Sequence, residues 1–243
     1  MLADVPDGLE RVNAGALTVW RVGRAPDPWA WVEHQYSGHN RWDDAGGEFR
    51  TVYAAESLYA CYVEVLAYAR PDIDADGQDL LAGIHEDSAD ALAYPVPAAG
   101  TIPPEWIGAR MAISATLSGS FVDVRAASTI ATLRPLFLLR ASQLGFPDVD
   151  AAALKSAHPR DLTQGIASYL YTLTDDDGEP TVDGIRFASR HGDELILWAV
   201  FERPGDEPAS RLIERHAARL VEPNDPDLLG AMSLHGLTWL HAS

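Results

Sequence analysis

Lysine is almost missing from this 243-residue chain: of 18 basic residues, 17 are arginine and only Lys155 is lysine. Cysteine is as scarce, with Cys61 alone. A single thiol cannot close an internal disulfide, which excludes a disulfide-stapled fold and fits a reducing cytoplasm. Positive charge is outnumbered too, since 36 acidic residues leave a formal net charge of -18. That balance argues against nucleic-acid backbones and anionic membranes as direct partners. No apolar run approaches the roughly 20 residues that cross a bilayer. The opening MLADVPDGLE has neither the basic nor the apolar region of a secretory signal. The expected location is the cytoplasm.

Several common chemical motifs are absent as well. The chain has no phosphate-cradling GxxxxGK[ST], no GxGxxG after a strand, no HExxH and no GxSxG. His34 and His39 have no cysteine nearby and the other histidines are scattered, so no metal site is expected. Cys61 lies inside an apolar helical stretch and reads as a core residue, not a nucleophile.

What remains is a hydrophobic content of 47%, enough for a folded core. ALTVWRV (16–22) and RTVYAA (50–55) read as strands, separated by a long loop punctuated with Pro, Gly and Asn. Ser57 can cap a helix that runs to Arg70 and is stopped by Pro71. Residues 110–125 read as two strands joined at SGS, and 128–144 and 161–173 as helices. Residues 175–190 form a turn leading into a short strand, and ELILWAVFE (194–202) is a buried strand. An amphipathic helix is expected near 208–220, followed by a mixed segment to the end. Strands and helices mix without βαβ regularity, which makes α+β the fold class.

One charge stands out. Glu64 is the only ionisable carboxylate between Ser57 and Arg70. It lies off the apolar stripe of its helix, on a flank with Ala60, Ala67 and Tyr68, small residues and one aromatic, a lining that lets another group approach. Arg21 within the first strand, Arg41 in HNRWDD and Tyr53 in the second strand complete a candidate constellation. Two readings of it stand open: a buried Glu64 paired with Arg21 or Arg41 for structural reasons, or a ligand site.

The stretch VWRVGR…HNRWDDAGGEFRTVYAAESLYACYVEVLAYAR resembles the N-terminal half of RES domains, the toxin components of bacterial toxin–antitoxin pairs. Arg21, Arg41-Trp42, Tyr53-Ala54 and Cys61-Tyr62-Val63-Glu64 match the family pattern in order. DGIRFASR resembles its later segment and carries the family's serine onto Ser189, with Thr163 in RDLTQG as a rival hydroxyl. Departures are Asn40 for a glycine and Asp43 for an asparagine, together with an insertion within 71–109 or 145–160. The expected layout is a lead-in (1–15), a RES-like domain (16–205) and a C-terminal extension (206–243).

The resemblance implies an NAD-consuming fold similar to ADP-ribosyltransferases, with NAD as substrate and no metal. Glu64 and Tyr53 take the catalytic roles; Arg21, Arg41, Tyr53 and Ser189 bind the NAD. It also implies a helix-turn-helix antitoxin as partner, which leaves DNA contact to that partner. A homodimer stays open. The expected function is NAD degradation by phosphorolysis or hydrolysis, with ADP-ribosylation of a protein and a non-catalytic binding module as alternatives.

Overall fold

A computed structural model describes residues 6–71 and 100–240. Within them lie eleven strands: β1 (Arg11–Asn13), β2 (Leu17–Arg24), β3 (Thr51–Ala55), β4 (Thr101–Ile102), β5 (Arg110–Leu117), β6 (Ser120–Asp123), β7 (Gly184–Ser189), β8 (Gly192–Phe201), β9 (Ile213–Arg215), β10 (Arg219–Leu220) and β11 (Thr238–Trp239). The helices are α1 (Leu58–Leu66), α2 (Glu105–Gly108), α3 (Ala127–Gln143), α4 (Ala151–Lys155), α5 (Asp161–Tyr171) and α6 (Pro226–His235).

Nine strands form one mixed sheet in the order β1-β6-β7-β8-β3-β2-β5-β10, with β9 also paired to β5. Alternation along β8 shows why the sheet is buried on both faces. Leu195, Leu197, Ala199 and Phe201 enter a large core shared with the helices. Trp198 and Val200 join Trp29, Trp31, Val52, Ala54 and Phe121 in a second, smaller core on the opposite face. The chain is therefore α+β, a sheet with two cores.

Two expectations need correction. Residues 110–125 do form two strands, but β5 and β6 do not pair with each other. β6 pairs with β1 and β7, while β5 pairs with β2, β9 and β10. Gly119, at φ +116°, takes a backbone conformation closed to most L residues, and the ribbon of β1–β2 against β5–β6 bends there instead of turning back. Its two halves thus join opposite ends of the β7-β8-β3 run, which curls the sheet.

The helix expected near 208–220 is absent; that stretch supplies β9 and β10. Its apolar stripe had no surface to cover, since Ile213 alone is buried between 211 and 220. The edge of β5 offered unpaired backbone groups, and pairing with them satisfied both partners. The sheet accordingly runs on to Leu220, past the expected boundary at 205, and begins at Arg11 within the expected lead-in. The later segment holds a helix, α6, capped by Asp225 at its start and closed by Gly236 at φ +67°. Of the expected insertion, 72–99 lies outside the described residues, while 145–160 contains α4.

α1 forms as its sequence indicates. Ser57 is extended, and its Oγ accepts from the Ala60 amide at 3.1 Å, an N-cap that fixes where the helix begins. Leu58, Ala60, Cys61, Tyr62, Val63 and Leu66 are buried, and a short 3-10 turn (Ala67–Ala69) ends the run before Pro71. α1 lies on the β2–β3 part of the sheet, with α6 packed along it.

Candidate active site

The half-buried Glu64 on α1 meets Ser189 at the end of β7: the Ser189 hydroxyl donates to Glu64 Oε1, and Ser189 Oγ accepts from the His191 amide at 2.9 Å. Ser189 itself is 1% exposed. The flank of Ala60, Ala67 and Tyr68 is buried. A carboxylate that accepts from a hydroxyl, itself fixed by a backbone amide, is held in one orientation.

Two residues before Ser189 on β7, across a break in the strand register between Ala188 and Ser189, Phe187 gathers Tyr53, Trp42 and Arg41. The Tyr53 ring stands edge-on to it at 6.3 Å, Trp42 edge-on at 5.7 Å, and the Arg41 guanidinium 5.7 Å above it. Trp42 is fully buried and anchors the loop, with its amide donating to Tyr53 Oη at 3.0 Å. Arg41 is thereby carried at the edge of a fixed aromatic cluster, a cation held by ring electrostatics.

The Tyr53 hydroxyl is engaged on both sides, donating to Asp43 Oδ1 at 2.8 Å while it accepts from Trp42. Burial, with the Asp43 carboxylate beside it, holds this phenol well above its ordinary pKa, against the opposing pull of the Trp42 amide and the Arg160 charge. Tyr53 therefore offers the site a ring face, not a titrating proton. Asp43 Oδ2 takes the amides of Gly38, His39 and Asn40 at 3.0, 3.1 and 3.0 Å. Burial raises the Asp43 pKa despite these bonds. From α5, Gln164 Nε2 donates to the Gly38 and Asn40 carbonyls, and Ser168 Oγ donates to Asp44 at 2.6 Å. The loop carrying Arg41 is thus fixed from inside and from a neighbouring helix.

Arg21 sits where β2 and β3 part. Those strands share one residue pair, Trp20 with Ala55, and beyond it Arg21 Nη1 donates to the Tyr53 carbonyl at 2.7 Å while Nε donates to Pro28 O. The guanidinium stands in the seam and replaces ladder bonds that the strands do not make. Arg21 and Glu64 both act on the Cys61 thiol from α1, the first lowering and the second raising its pKa; burial dominates and pushes it up to about 12.

The expected residues thus form a chain of neighbours: Glu64 with Ser189, Ser189 with Phe187 along β7, Phe187 with Arg41 and Tyr53, and Tyr53 with Arg21. Thr163 is placed elsewhere; its hydroxyl donates to the Arg160 carbonyl at 3.0 Å at the start of α5. Sequence reading missed Phe187, whose register to Ser189 is broken by an irregularity that no spacing reveals. It also missed Arg160, whose charge reaches Tyr53. The Asp-Gly of DGIR is structural: Asp183 Oδ2 accepts from Ser120 N at 2.8 Å, and a Cβ on Gly184 would lie 2.0 Å from the Ala199 carbonyl oxygen.

Fold and site describe a curled mixed sheet with a carboxylate, a hydroxyl, two arginines and an aromatic cluster gathered beside one strand seam. The model of the RES domain matches residues 18–220, and the chain belongs to that family, which is associated with NAD-acting enzymes. No curated protein and no solved structure matches the chain. Among the described residues, no helix is long and apolar enough to cross a membrane.

Proposed function

We propose that this protein cleaves the nicotinamide–ribose bond of NAD. The observation that carries the reading is the hydrogen bond from Ser189 to Glu64, which aims a half-buried carboxylate from an otherwise apolar helix. Breaking this bond passes through a cationic, oxocarbenium-like ribose. A carboxylate fixed beside that ribose stabilises the charge as it develops, and its orientation needs no rearrangement at the moment of reaction. Glu64 takes this role, with Ser189 as the group that orients it.

The remaining residues bind. Arg41, held over Phe187, and Arg21, in the strand seam, supply guanidinium forks for the pyrophosphate. The Tyr53 ring, supported edge-on by Phe187, offers a stacking face to the nicotinamide. In hydrolysis a water oxygen bonds to the ribose carbon as the C–N bond breaks, nicotinamide leaves with the bonding pair, and a proton is released. In phosphorolysis a phosphate oxygen replaces the water. A protein partner that silences the activity fits the family resemblance, and the net charge of -18 leaves any DNA contact to that partner.

The test is release of nicotinamide from NAD by the purified chain, with products resolved. Free ADP-ribose means hydrolysis, a phosphorylated ADP-ribose formed only with phosphate means phosphorolysis, and label retained on protein means transfer. No nicotinamide from folded protein, with or without phosphate or a cell extract as acceptor, contradicts the reading.

A further inference from the structure

Behind Glu64 and Ser189 lies a pair of histidines from two distant parts of the chain. His191 follows Ser189 by two residues, and its amide holds the Ser189 hydroxyl. Its ring Nδ1 is 3.1 Å from Arg70 Nη1. Arginine has no acceptor, so Nδ1 accepts. Edge-on to that ring, at 5.3 Å and 77°, stands His235. His235 is 4% exposed and belongs to α6, beyond the 18–220 of the family match. Its Nε2 is 2.7 Å from the carbonyl of Val63, the residue before Glu64. A carbonyl only accepts, so Nε2 carries the proton and Nδ1 is the bare nitrogen of a neutral ring. That Nδ1 is buried and has no hydrogen-bond partner among the described residues.

We propose that His235 is a positioning residue for the Glu64–Ser189 pair, bracing it through the Val63 carbonyl on one side and the His191 ring on the other. The proposal rests on the roles given to Glu64 and Ser189 above, and it assigns a purpose to the C-terminal helix. α6 is clamped to α1 at both ends. At the far end, Tyr62 Oη lies 3.3 Å from Asp225, which also pairs with Arg219, and Tyr59 packs on Gly230. At the near end, the charged or titratable groups facing His235 are His191, Arg70 and Arg190, all cationic or able to become so. A helix C-terminus ordinarily favours a charged histidine. Here burial and those neighbours win, and the His235 pKa lies below its ordinary value. The neutral ring is therefore the folded form. The unfolded chain takes up its proton as pH falls through about 6.5, so folding stability declines from there, while the folded ring itself protonates only at its lower pKa.

The experiment uses the full chain and its His235→Gln variant, since a glutamine can still donate to the Val63 carbonyl but has neither ring nor titration. NAD turnover between pH 5 and 8 should show kcat lowered about 10-fold near pH 7.5, KM little changed, and the acid limb of the wild type flattened. A folded variant with wild-type kcat and the same acid limb overturns the proposal. A second arm needs neither variant nor NAD: in histidine-selective NMR of the wild type, the His191 signal should move as His235 titrates. A His191 signal indifferent to that titration also overturns the brace. Failure of the wild type to consume NAD refutes the enzymatic reading instead, and the NMR arm still decides the brace.

Discussion

Asn40 Nδ2 lies 3.1 Å from Asp43 Oδ2. Each side chain is thereby a partner of the other within the loop that carries Arg41. The same Asp43 oxygen gathers three consecutive loop amides, and its second oxygen fixes Tyr53.

The coupling is measurable. Asp43→Ala leaves buried amides and a buried phenol without their acceptor and should cost about 3 kcal/mol; Asn40→Ala should cost about 1 kcal/mol. In denaturant melts the double variant should fall short of the sum by at least about 0.5 kcal/mol. Simple additivity contradicts the pairing.

Tyr53 separates ring from hydroxyl. Tyr53→Phe loses two hydrogen bonds and should destabilise the fold by about 1–2 kcal/mol, yet leave kcat within about threefold, because the phenol titrates outside the working range. Tyr53→Leu removes the stacking face and should raise KM about 10-fold. A large kcat loss in Tyr53→Phe would instead make the hydroxyl a proton donor in the reaction.

The two rival hydroxyls should part in the same way. Ser189→Ala unfastens Glu64 and should lower kcat about 10- to 100-fold with modest effect on melting. Thr163→Ala touches a helix start and should cost about 1 kcal/mol of stability while turnover holds. Equal turnover in the two variants contradicts the assignment of the hydroxyl to Ser189.

Cys61 offers a probe that does not depend on activity. Burial pushes its thiol up to about 12, so the nucleophilic thiolate is scarce at pH 8. Native protein should resist iodoacetamide for hours and become alkylated at one site on unfolding in urea. Rapid native alkylation would place Cys61 outside the core.

How much of this was legible follows from where each signal was carried. α1 and β8 could be read because cap, apolar spacing and stop are local, and the lone Glu64 marked its helix as unusual. The pairing of β5 and β6 could not, since a short SGS link between two strands suits a hairpin or a bend equally until partners are known. The helix expected at 208–220 failed because its stripe described composition and not a surface to cover. Asp43 was visible only as a departure, since its partners are backbone amides that no side-chain pattern reveals. Ser189 reached Glu64 across 125 positions, a closeness that the family motif indicated and spacing alone did not. His235 had no motif at all and acquires meaning only when α6 lies on α1.

The central claim is that Glu64 acts on the ribose of NAD, and NAD loss by the wild type beside Glu64→Gln tests it most directly. Glutamine keeps the shape and a partner for Ser189 but removes the charge. The account predicts nicotinamide release by the wild type and a drop of at least about 100-fold in the variant, with both proteins melting alike. Equal rates in the two, or no release by either as folded protein with or without phosphate, would contradict it.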